Sequence, residues 1–169
     1  MDAVRLSSGR DVTIRPIRPD DGPSLRAAYE ALSPTSKYRR FLAPKPHLTE
    51  ADTRYLVHVD GRDHVALVAT PVEHPRWILG VARFVRLRED PAMAEFAVVV
   101  GEEVRREGLA TALLARLAQA AAERGITRLK ATMLAENEPA QRLVRTRMGR
   151  VAALRRSGPV DEVEIELAS

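Results

Sequence analysis

Apolar and polar positions fall into blocks along this chain, and each block carries a period. Val12, Ile14 and Ile17 around Arg15-Pro16 predict a short first strand closed by Pro19. Asp20 and Asp21 stand where a helix N-cap belongs, and Leu25, Ala28, Tyr29 and Leu32 follow at helical spacing. Ser33-Pro34 pairs an N-cap with a proline at the first helical position, predicting a second helix through Tyr38, Phe41 and Leu42. Thr49 to Asp52 reads as a capping box opening a third short helix to Val57.

After Gly61 the pattern turns to strands. His64 to Thr70 is a near-continuous apolar run, and Trp77 to Leu87 predicts a longer strand with a bend at Gly80. Phe96 to Val100 is rich in β-branched residues, as a buried strand is. From Leu109 the period becomes helical: Leu109, Ala112, Leu113, Leu117, Ala120 and Ala121 share one face, and Gly125 stops the helix. Arg128 to Leu134 predicts a further strand, and Asn137 caps a helix containing Leu143 and Val144. The end predicts a hairpin, Val151 to Leu154 and Val160 to Leu167 about Ser157-Gly158-Pro159. Its glutamates alternate with Val163, Ile165 and Leu167, opposite Arg155 and Arg156.

The stretch from Glu95 to Ala122 organises the rest: strand, tight charged loop, then helix, with Gly108 where the helix starts. A helix start leaves backbone N–H groups unpartnered and carries partial positive charge, so it suits phosphate. Gly108 and Ala110 allow close approach to the backbone, and Thr111 offers a hydroxyl.

Composition bounds the chemistry. The 169 residues predict one domain spanning 1–169, and 45% hydrophobic with 30% charged residues describe an ordinary globular chain. Without cysteine there is no disulfide, zinc-thiolate site or cysteine nucleophile. The first ten residues have no apolar core of a signal peptide, and no run reaches membrane-spanning length, so a cytoplasmic location is expected. The net charge of +4 rests on scattered arginines, lysine occurring only at Lys37, Lys45 and Lys130. With so few aromatics to stack on bases, no nucleic-acid partner is expected. His58, Asp60, Asp63 and His64 fit no metal-ligand spacing, and a turn accounts for them, so no metal is expected. His64 is also a candidate second proton carrier.

The run R-R-E-G-L-A, Arg105 to Ala110, matches the Arg/Gln-x-x-Gly-x-Gly/Ala signature of the GCN5-related N-acetyltransferases (GNAT), and the succession of elements resembles theirs throughout. The resemblance implies an α/β (α+β) fold: a mixed, mostly antiparallel sheet of about seven strands flanked by helices and splayed at the acetyl-CoA site. It implies acetyl-CoA as co-substrate, bound by Val98, Val99, Val100, Arg105, Arg106, Glu107, Gly108, Leu109, Ala110, Thr111, Asn137 and Ala140. The segments Leu32 to Leu42 and Val59 to Ala69 are similar to the bacterial protein-lysine acetyltransferase branch called Pat, whose members modify AMP-forming acyl-CoA synthetases. That likeness implies such a synthetase as partner, and the cluster of Tyr38, Arg39, Arg40 and Lys45 as the basic surface that meets it.

An amine attacks a thioester only when neutral, and at pH 7.4 a lysine falls short by about 4 kcal/mol. Glu95, between Ala94 and Phe96, is the candidate general base, expected to be buried, and it matches the glutamate that serves so in the Pat branch. The backbone of Ala97 to Val100 is the place implied for a donor to the thioester carbonyl. Where the family often carries a tyrosine that protonates the leaving thiolate, this chain has Val144, and Gly149 falls one residue later than the family's glycine. The sequence leaves two alternatives open: acetylation of a small amine or antibiotic, and a non-catalytic acyl-CoA sensor.

Overall fold

The computed structural model describes residues 2–135, 137–147 and 150–167; Gly149 lies outside them. Eight strands form one sheet: β1 (Asp2–Arg5), β2 (Asp11–Pro16), β3 (His64–Pro71), β4 (Gly80–Arg86), β5 (Met93–Val100), β6 (Arg128–Leu134), β7 (Arg150–Ser157) and β8 (Val160–Glu166). Their order is β1-β2-β3-β4-β5-β6-β8-β7, antiparallel everywhere except between β5 and β6. The strand beyond the seven expected is β1. Its sequence has only Val4 as a large apolar residue, too little to register as a strand, and Arg5 is tied to Asp11 at 2.9 Å across the hairpin.

Five helices cover the two faces. On one lie α1 (Gly22–Glu30), α2 (Pro34–Phe41) and α3 (Glu50–Val57). Ser33 caps α2 by accepting the Ser36 N–H, and Thr49 with Asp52 closes the expected capping box on α3. Asp21 does something other than cap α1: its carboxylate takes both guanidinium nitrogens of Arg15 at 2.8 Å and the Arg18 N–H at 2.7 Å. Burial would raise its pKa, but these partners hold it below the ordinary carboxylate range. Leu25, Tyr29, Leu32, Leu56 and Val57 pack with Ala66, Val68 and Val81 of the sheet.

The other face is covered by α4 (Leu109–Glu123) and α5 (Glu138–Arg147). From α4, Leu109, Leu113, Leu114, Leu117 and Ala121 meet Phe84, Phe96, Leu129 and Ile165 in the larger core. The strand expected from Trp77 begins at Gly80 instead. Trp77 itself is exposed in the turn before it, its N–H donating to the His74 carbonyl. Gly80 is needed for close approach: a Cβ there would sit 3.0 Å from Leu113 and 3.2 Å from the Val99 carbonyl. Among the described residues no helix is long and apolar enough to cross a membrane.

Candidate active site

The parallel pairing of β5 with β6 covers only Met93 to Glu95 against Arg128 to Lys130. Beyond Glu95, β5 continues to Val100 paired with β4 alone. The strands part there, and further along β5 a cleft of about 440 Å³ opens between Val98 to Val100, α2 and the starts of α4 and α5. In a ladder, backbone groups not aimed at one neighbour are aimed at the other side. The parted stretch therefore turns unpaired N–H and C=O groups toward the cleft.

The cleft runs up β5 to the start of α4, whose first turn is its far end. Ser33 and Thr49 cap α2 and α3, but α4 starts on Gly108, at φ +90°, with no side chain to cap it. Its first N–H groups are left for a ligand. Arg106 is also held at positive φ, +63°, in the turn leading to it. Arg39 from α2 reaches the same cleft, and its Nε is buried without a hydrogen-bond partner among the described residues. An uncapped helix start and an orphaned guanidinium donor in one cleft fit a phosphate-bearing ligand.

The structure brings together Val98, Val99, Val100, Arg105, Arg106, Gly108, Leu109, Ala110, Thr111, Asn137 and Ala140 in the cleft wall. Two of the expected site residues lie outside it, Glu95 and Glu107; the Glu107 carboxylate accepts the Ser8 hydroxyl, and its carbonyl accepts the Ser7 N–H. Sequence reasoning missed Ser36. Its hydroxyl accepts from Arg105 at 2.6 Å and donates to Glu102 at 2.9 Å, tying α2 to the charged loop. No local pattern signals a bond between residues so far apart in the chain.

Glu95 is the last residue paired before the strands part. The burial expected for it is not there. Its side chain is 57% exposed, 3.8 Å from Lys130 Nζ on β6. Ala94 and Phe96 are buried because neighbouring residues of a strand face opposite sides. Val144 is buried in the core, and none of the three tyrosines lines the cleft.

The basic surface expected near α2 is different in kind. Lys45 is paired with Asp52 at 2.8 Å, and Arg40 lies inward, 4.5 Å from the centre of the Phe41 ring. Asp60 accepts the N–H groups of Arg62, Asp63 and His64, which is the turn expected of that cluster. His64 is buried, with Nε2 3.1 Å from Arg83 Nη1. Burial, then the Arg83 charge, pushes it down from 6.5 to about 4, so its ring is neutral and accepts from Arg83. A larger cavity, about 770 Å³ between α1 and the β3–β4 turn, gathers none of the loop from Arg105 to Thr111.

A sheet parted beside an uncapped helix start is the arrangement that the resemblance implies for an acyl-transfer domain, and sequence comparison agrees. Residues 25–149 match the acetyltransferase (GNAT) family model, and the chain belongs to that family of acyltransferases. It is 31% identical to Acetyltransferase Pat of Mycolicibacterium smegmatis over 88% of its length. The match covers 44% of that relative, so this chain spans less than half of the longer protein. The crystal structure of the GNAT domain of S. lividans PAT superposes with a TM-score of 0.88 at 32% identity, covering 98% of this chain and 96% of that one. The fold is also that of yncA from Salmonella typhimurium, solved with its cofactor acetyl-CoA (TM-score 0.69, 18% identity, 94% of this chain and 95% of that one).

Proposed function

We propose that this protein transfers the acetyl group of acetyl-CoA directly to the side-chain amine of a protein lysine, and that Glu95 takes the proton. The observation that carries the reading is the position of Glu95, the last residue of β5 paired with β6, on the same strand as the Val98, Val99 and Val100 wall of the cleft. The N–H groups at the start of α4, with Arg39 and Arg106, hold the pyrophosphate. Acetyl-CoA supplies the activated acyl carbon. The parted backbone of β5 donates to the thioester oxygen as charge builds on it. Glu95, exposed on β5 short of the cleft wall, is open to the ammonium or to a water that relays its proton. The thiolate leaves without a tyrosine, and solvent protonates it.

The likeness to Pat supports an AMP-forming acyl-CoA synthetase as the protein acceptor and a cytoplasmic setting. Incubation of the purified chain with acetyl-CoA and synthetases of the same organism, followed by mass spectrometry, tests this. One acetylated lysine near the C-terminal end of a synthetase is expected, with much slower transfer to a free lysine peptide. Rapid acetylation of polyamines or aminoglycosides with no synthetase modified would replace the protein acceptor by a small amine.

A further inference from the structure

Two arginines on the α1–α3 face have no use in acetyl transfer as described. Arg83 on β4 is 5% exposed, and its Nη1 donates to the Leu56 carbonyl at 3.0 Å and to His64 Nε2. Arg40, half-buried in the last turn of α2, lies with its guanidinium carbon 4.5 Å from the centre of the Phe41 ring. Among the described residues neither is paired with a carboxylate. Buried arginines are ordinarily matched to acids, because a guanidinium removed from water needs compensating charge. Here the two cations oppose one another: burial first, and then the Arg40 charge, pushes Arg83 down to about 9.

Both arginines line one cavity of about 380 Å³, together with Asp52, Tyr55, Leu56 and Val85. The only acid in that wall, Asp52, is engaged by Lys45 and by the Thr49 N–H. The cavity adjoins the cleft through one residue and lies beside the candidate base through two. Arg40 lines both hollows. Arg83 is the cross-strand neighbour of Ala97, and Val85 is that of Glu95.

We propose that this cavity receives a carboxylate carried by one of the two reactants, held between Arg40 and Arg83. The inference rests on the acyl-transfer reading above and adds a charge requirement to it. The carboxylate has two sources, the far end of a dicarboxylic acyl chain such as succinyl, or an acid group on the amine acceptor. Either way the bonds are those of acyl transfer. The amine nitrogen joins the thioester carbon, the C–S bond breaks, the amine's proton goes to the base, the thiolate leaves and takes a proton from solvent, and the carboxylate passes through unchanged.

The test uses matched pairs on the full chain. Acetyl-CoA and succinyl-CoA are compared by calorimetry, and γ-aminobutyrate and butylamine as acceptors by steady-state KM. The wild type is expected to prefer the carboxylate-bearing member of one pair by about tenfold or more. A donor preference identifies the acyl chain as the source, and an acceptor preference identifies the amine. Arg83→Met should bring the preferred pair within about twofold while acetyl-CoA affinity holds, and Arg83→Lys should keep part of the preference. The wild-type comparison needs no variant, so poor folding of Arg83→Met does not remove the test. Acetyl-CoA binding with no preference in either pair, or a preference that survives in folded Arg83→Met, overturns the cavity and leaves the acetyltransferase reading standing. Binding of succinyl-CoA without acetyl-CoA supports the cavity and overturns the acetyl donor. Binding of neither overturns both.

Discussion

Glu95 gains its place from pairing rather than from burial. Its neighbours in sequence face the α4 core while its own carboxylate faces out beside Lys130. Glu95→Gln keeps that shape and loses the base, so kcat should fall by roughly 10²-fold with acetyl-CoA affinity unchanged. Single-turnover assays beside calorimetry check it, and an unaltered rate would move the base elsewhere. His64 makes a second residue-scale prediction. Unfolded, it takes a proton near 6.5; folded, only near 4. The unfolded chain therefore binds more protons between those values, and stability is complete above 6.5 and is lost as pH falls toward 4. Denaturant unfolding should show a loss of about 2 kcal/mol between pH 7.5 and 5 that His64→Gln lacks.

Among the elements, α4 presses on β4 through the gap that Gly80 leaves. Gly80→Val would drive methyl groups into Leu113, Leu109 and the Val99 carbonyl, and should cost about 2 kcal/mol, read from the urea midpoint. Gly80→Ala should cost less. The elements legible in the sequence were those whose signals are local. Ser33-Pro34 and Thr49 to Asp52 mark their helix starts within four residues, and the loop before α4 announces itself by Gly108 and the change of period. What escaped depends on partners distant in the chain. Val4 becomes part of a strand only because Val12 lies beside it. Ser36 meets Arg105 only once the sheet is assembled. The exposure of Glu95 escaped for a geometric reason, since apolar flanks in a strand describe the opposite face. The Arg40–Arg83 cavity joins α2 to β4, and no spacing forecasts it.

At the scale of the whole molecule, two layers of helix meet across a sheet that is continuous on one side of β5 and open on the other. The joint between α2 and the loop before α4 is small: Ser33 and Ser36 on one side, Glu102 and Arg105 on the other. Arg105 cannot both hold Ser36 at 2.6 Å and swing fully onto a pyrophosphate, so filling one half of the site tugs on the helix that borders the other. That sets a sequence of events in time. The nucleotide thioester should enter first and the amine second, with free CoA departing last. Product inhibition by CoA should then be competitive against acetyl-CoA and noncompetitive against the amine. Ser36→Ala, by removing the bond that Arg105 must give up, should let the two substrates enter in either order.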